Sequence, residues 1–131
     1  MNISNEKILV VEDEHGMCVF YKGFFKLRGC ATKCVRSVTE AIEYIENNPV
    51  SLVVLDLVLP CRNGEEFFDY LEHHHPEVFI IVATGHPKPS ILRKIAAKAN
   101  SCLFVKPFNI DEICEEAISV VTQSRSQACA C

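Results

Sequence analysis

Four short apolar runs constrain this chain more than any other feature: residues 8–11, 52–55, 78–83 and 102–105, with a weaker fifth at 31–35. Their apolarity is continuous rather than alternating and rich in Val and Ile, as in strands covered on both faces of a parallel sheet. Segments with helical spacing separate them. Met17, Phe20, Phe24 and Leu27 follow i, i+3, i+7, i+10, and Gly29 is a C-terminal stop. Ser37-Val38-Thr39-Glu40 has capping-box spacing, with Ala41, Ile42 and Ile45 as the buried face behind it. Phe67, Phe68 and Leu71 mark a third helix that ends before Pro76; Ile91, Leu92 and Ile95 mark a fourth. Asn109 caps a fifth, which carries Ile110, Ile113, Ala117 and Val120 on one stripe. A β-α unit repeated five times predicts an α/β fold: a flavodoxin-like (βα)5 doubly wound parallel sheet, strand order 2-1-3-4-5, in a single domain. In such sheets ligands bind at the carboxyl ends of the strands.

A length of 131 residues suits one domain, and 49% apolar content is enough to fill its core. The net charge of −4, with no run of Lys or Arg longer than two, argues against direct nucleic-acid binding. No apolar stretch approaches the ~20 residues needed to span a bilayer. The first six residues lack the regions of a signal peptide, so a cytoplasmic protein without membrane contact is expected. Residues 1–123 read as the domain and 124–131 as a flexible C-terminal tail, the chain being polar and small from Thr122 on. That tail is equally readable as a native end or as the start of a linker to an output domain.

Of the eight cysteines, Cys18, Cys102 and Cys114 lie inside apolar runs, where a thiol acts as a small buried hydrophobe. Cys30-x3-Cys34 and Cys129-x-Cys131 lack the paired C-x2-C spacing of a zinc site. Buried or incidental thiols are expected, rather than disulfides or metal ligands.

The residues just past each strand carry the chemistry. The first strand runs into Glu12-Asp13-Glu14, the third ends at Asp56, the fourth at Thr84-Gly85 and the fifth at Lys106-Pro107. Each alone is an ordinary cap or turn residue. Together they bring acidic groups, a hydroxyl and an ammonium to one sheet edge, a set suited to phosphoryl transfer onto a carboxylate. Clustered carboxylates raise one another's pKa unless a cation sits among them, and a hard, oxygen-seeking Mg²⁺ is the usual one. Lys106 and Thr84 would then meet oxygens of the transferred group.

These motifs resemble the receiver domains of two-component response regulators, including stand-alone receivers of the chemotaxis-protein type, from Lys7 to about Gln123. The matching residues are Ile8-Leu9-Val10-Val11-Glu12-Asp13-Glu14; Leu52-Val53-Val54-Leu55-Asp56-Leu57-Val58-Leu59-Pro60 with Asn63-Gly64; Ile81-Val82-Ala83-Thr84-Gly85; and Val105-Lys106-Pro107-Phe108. The resemblance implies Asp56 as phosphoacceptor and Mg²⁺ held by Asp13, Asp56 and the Val58 backbone carbonyl, with Glu12 acting mostly through water. It makes Thr84 the switch hydroxyl, Lys106 the phosphate-pairing lysine and Lys106-Pro107 a cis bond. The implied phosphodonor is a histidine kinase or histidine phosphotransfer protein. The implied outputs are a downstream protein or fused output domain and a homodimer through the fourth helix, fifth strand and fifth helix. Glu12 stands where Asp is commoner, and Leu103 where an aromatic is usual, with Phe104 and His86 as neighbouring rings. Val58 and His86 occupy the two variable positions flanking attacking water, and an apolar Val58 implies slow dephosphorylation.

An Asp-nucleophile phosphatase or phosphotransferase would want a second acid two residues after the nucleophile, where this chain has Val58. An FMN-binding module would want Ser, Thr and Gly where it has Glu12-Asp13-Glu14. A phosphoacceptor signalling domain, not a turnover enzyme, is therefore expected. Consecutive His73, His74 and His75 point in different directions on a helix and read as an exposed terminus, not a metal tract. Cys61 follows Pro60 in the site loop, and nothing obvious near it lowers its pKa. Pro87 and Pro89 stiffen the loop at 85–90.

Overall fold

The computed structural model describes residues 7–57, 64–107 and 109–130, with side chains to residue 122. Five strands, β1 (Ile8–Val11), β2 (Thr32–Val35), β3 (Leu52–Asp56), β4 (Phe79–Thr84) and β5 (Ser101–Val105), alternate with five helices. These are α1 (His15–Leu27), α2 (Val38–Asn47), α3 (Gly64–His74), α4 (Pro89–Ala97) and α5 (Ile110–Ala130). The strands form one parallel sheet in the order β2-β1-β3-β4-β5. Among the described residues no helix is long and apolar enough to cross a membrane.

The three central strands, β1, β3 and β4, explain their own sequences. Leu9, Val11, Val53, Leu55, Ile80 and Val82 face one core, closed by Val38, Ala41, Phe67, Phe68, Leu71 and Ile91 of α2, α3 and α4. Ile8, Val10, Leu52, Val54, Ile81 and Ala83 face the other, closed by Tyr21, Phe25, Ile113, Cys114 and Ala117 of α1 and α5. Alternate residues point to opposite faces, and both faces are dry, so the runs are continuously apolar.

The expected caps form. Ser37 Oγ accepts from the Glu40 N–H at 3.1 Å, and Glu40 Oε1 accepts from the Arg36 N–H at 2.9 Å. Ser37→Ala should therefore cost about 1 kcal/mol in urea denaturation; an unchanged midpoint would show that the cap contributes nothing. Gly29, at φ 72°, ends α1 in the left-handed region open to glycine. Asn109 Oδ1 accepts from the Asp111 N–H at 2.9 Å at the start of α5.

Three expectations are corrected. The buried stripe of α1 is Cys18, Tyr21 and Phe25; Met17 and Phe24 are at its margin, while Phe20 is 58% and Leu27 82% exposed. α1 carries two overlapping apolar stripes, and packing against the sheet and α5 selects between them. Secondly, Cys18 and Cys34 are not thiols but a disulfide, their Cα atoms 6.0 Å apart and 16 residues apart in sequence. The β1-α1-β2 crossover makes them neighbours, which local spacing does not reveal. Cys30, Cys102 and Cys114 are free, and of these only Cys114 is fully buried. Thirdly, α4 already begins at Pro89, which suits a first-turn position because it lacks an N–H. The backbone of α5 is helical to Ala130.

Candidate functional site

Parallel register assembles the site. Val11 pairs with Leu55, so Glu12 and Asp56 leave β1 and β3 side by side. Asp56 pairs with Ala83, and Thr84 with Val105, which brings Thr84 and Lys106 to the same edge. Asp56 is only 2% exposed and Glu12 3%. Asp13 is half-buried beside them. Val58, the expected carbonyl ligand, lies outside the described residues, as do Pro60, Cys61, Asn63 and Phe108.

Glu12 is held from both sides. Its N–H donates to the Val35 carbonyl at 2.9 Å, and its Oε2 accepts from the Glu14 N–H at 3.2 Å. Its carboxyl group adjoins that of Asp56. Burial, then the adjoining Asp56 carboxyl and its charge, push the Glu12 carboxyl up to about 8. The buried Oε1 of Glu12 has no hydrogen-bond partner among the described residues. Two adjoining acids in such a place need a shared proton or a cation.

Opposite them, Lys106 Nζ faces Asp56 Oδ1 at 4.0 Å, the lysine partly exposed and the aspartate buried. Lys106 donates its backbone N–H to the Thr84 carbonyl at 2.9 Å. Thr84 Oγ1 accepts from the His86 N–H at 3.2 Å. A Cβ on Gly85 would meet the Lys106 side chain at 3.5 Å, an ordinary van der Waals contact, so the two residues pack side by side. A cleft at the same sheet edge sets Thr84, His86, Lys88 and Lys106 among the apolar Met17, Leu57, Pro107 and Ile110. The Lys106-Pro107 bond is cis, as expected.

The donor set fits Mg²⁺ rather than a softer metal. Among the described residues no three His, Cys, Asp or Glu side chains converge enough to hold an ion unaided. Mg²⁺ asks for less: one or two carboxylates, with water and phosphate oxygens completing its octahedron. The Glu12–Asp56 pair supplies two, and the orphaned Glu12 Oε1 is an oxygen awaiting a positive partner.

Sequence reasoning missed Tyr21. Its hydroxyl is fully buried without a partner among the described residues, and burial, then Asp56 and Glu12, raise its pKa. The misplaced α1 stripe hid it. The neighbouring rings also resolve: Leu103 packs on the α2–α4 side, whereas Phe104 packs on the α1–α5 side, away from α4. His73 and His74 are exposed at the end of α3, with His73 Nδ1 at 3.1 Å from the Asp69 carbonyl.

Residues 8–118 match the family model described as response regulator receiver domain. The chain is 27% identical over 109 residues to sporulation initiation phosphotransferase F of Bacillus subtilis, covering 83% of this chain and 88% of that protein. It is 30% identical over 110 residues to the nitrogen assimilation regulatory protein NtrX of Azorhizobium caulinodans, covering 81% of this chain but only 24% of that longer protein. The solved signal receiver domain of a Luxo repressor protein from Vibrio parahaemolyticus superposes with a TM-score of 0.82 at 24% identity, covering 96% of this chain and 97% of that one.

Proposed function

Because this chain belongs to the response regulator receiver domain family of two-component signalling, we propose that Asp56 is its phosphoacceptor and that Glu12, Asp13, Asp56 and the Val58 carbonyl hold Mg²⁺. The observation that carries the reading is the Asp56 carboxylate, buried beside Glu12 and faced by Lys106 Nζ at 4.0 Å.

An Asp56 oxygen attacks the phosphorus of a phosphohistidine on a histidine kinase or histidine phosphotransfer protein. The P–N bond breaks, the imidazole leaves, and Asp56 becomes an acyl phosphate. Bound Mg²⁺ would neutralise charge on the transferring oxygens. Lys106 meets one of those oxygens as a point charge, and the Thr84 hydroxyl donates to another. Reorientation of Thr84 then biases the surface of α4, β5 and α5 between two states. Leu92 and Val105 are exposed apolar side chains there, which supports a homodimer or a downstream protein as the reader. A fused output domain would receive the same signal. The net charge of −4 argues against direct nucleic-acid contact, and action in the cytoplasm, away from the membrane, is part of the same proposal.

Incubation with acetyl phosphate should add the mass of one phosphoryl group only when Mg²⁺ is present. Borohydride reduction should then label the peptide containing Asp56. A label on any other carboxylate, or no gain where a known receiver is modified, would overturn the reading. The resulting phosphoprotein should decay slowly, and a half-life of seconds or less would contradict the role given to Val58.

A further inference from the structure

The Cys18–Cys34 bond joins two elements, α1 and β2, that each touch the backbone of Glu12. Cys18 lies in the first turn of α1, its N–H donating to the Glu14 carbonyl at 3.1 Å, and its Sγ is 3.3 Å from the Glu12 carbonyl oxygen. Cys34 is on β2, next to Val35, whose carbonyl takes the Glu12 N–H at 2.9 Å. Both peptide groups of Glu12 are thus addressed by the two elements that the bond joins.

The two chemical states of the pair hold this peptide differently. As a thiol, Cys18 can donate its S–H to the Glu12 carbonyl; as a disulfide it has no proton to give. The disulfide instead ties α1 covalently to β2, pinning the segment that carries Glu12 and Asp13. We infer that Cys18 and Cys34 are a reversible thiol–disulfide pair whose oxidation tightens the hold of the β1-α1 loop on a divalent cation. This rests on the metal reading proposed above.

The half-buried Cys34 is the entry point, because Cys18 is buried. A small-molecule disulfide such as oxidised glutathione is the oxidant. The Cys34 thiolate attacks one of its sulfurs, breaking that S–S bond and releasing one glutathione thiol. The Cys18 thiolate then attacks Cys34 Sγ of the mixed disulfide and releases the second. The two protons from the protein thiols end on the two glutathione thiols. Excess dithiol reverses both steps.

Reduced and glutathione-oxidised protein are compared, with the Cys18–Cys34 linkage mapped by peptide mass spectrometry. Mn²⁺ serves as the probe, its free fraction read by electron paramagnetic resonance. Pre-organised ligands should bind Mn²⁺ about three- to tenfold more tightly in the oxidised protein. Amide exchange across residues 12–18, followed without metal, should be slower in the oxidised form. Cys34→Ser, which keeps the other cysteines, should show neither difference. It tests a half-buried position, so it remains informative even where Cys18→Ser fails to fold.

Equal Mn²⁺ affinity in the two wild-type states, or a difference that persists in Cys34→Ser, would overturn the inference. So would failure of the linkage to form. Absence of Mn²⁺ binding in both states would instead overturn the metal reading. The exchange data would still decide whether the bond pins the loop, since equal rates in both states would exclude it.

Discussion

Asp56→Asn is expected to abolish the Mg²⁺-dependent phosphoryl gain and, in metal-free protein at about pH 8, to be more stable than the parent. The first effect follows from chemistry: the amide replaces the attacking carboxylate oxygen. The second follows from the Glu12–Asp56 pair. Burial first, then the adjoining Asp56 carboxyl and its charge, raise the Glu12 carboxyl from 4.5 to about 8. Between those values the folded state binds a proton that the unfolded state has released, so stability falls as pH rises. The contribution is fully present below the unfolded value and lost as pH passes the folded one. The loss in wild type should be on the order of 3 kcal/mol between pH 5 and 8, since a tenfold change in proton affinity is worth about 1.4 kcal/mol and the pair relaxes in part.

The amide in Asp56→Asn removes the neighbouring charge and offers a donor to Glu12, so the stability profile of this variant should be flatter. Mg²⁺ should flatten the wild-type profile too, because a ligand that binds only the folded state adds stability by mass action. Urea denaturation from pH 5 to 8, with and without Mg²⁺, reads all three profiles. Identical pH slopes for the two metal-free proteins would show that Asp56 does not perturb Glu12. Residual phosphorylation of Asp56→Asn would place the acceptor elsewhere.

Phe25→Ala should cost about 3–5 kcal/mol, whereas Phe20→Ala should change stability by no more than about 0.5 kcal/mol. Phe25 is fully buried in the core with Tyr21, Val10, Val54, Ile113 and Cys114; Phe20 is largely exposed on the other side of α1. Removing the Phe25 ring leaves a cavity in that core, and the loss is a large part of the roughly 5–15 kcal/mol typical of a domain. Urea midpoints measured in one oxidation state would settle it. A larger loss at Phe20 would mean that α1 packs on the face its first apolar stripe suggests.

That pair of substitutions marks the limit of local pattern. Continuous apolarity at 8–11 or 52–55 demands a strand with two dry faces, whatever its neighbours are. The Ser37 and Asn109 caps are likewise local, since each oxygen bonds an N–H two or three residues on. α1 differs because Val19, Phe20 and Leu27 are apolar yet exposed, so hydrophobic spacing supports two faces equally. The helical backbone beyond Thr122 was hidden for a related reason. Composition there offers no apolar face, but no Gly or Pro after Pro107 breaks the helix either.

By itself, the sequence determined the order of strands and helices, the sheet topology they favour, and the strand-end positions of Glu12, Asp56, Thr84 and Lys106. All of these depend on periodicities and stops within a few residues of one another. Tertiary structure alone decided the packed face of α1, the closure of Cys18 on Cys34, the burial of the Tyr21 hydroxyl and the pairing of the Glu12 and Asp56 carboxyl groups. Those contacts join residues from different elements, and their energies arise only once strand register and crossover have brought the partners together.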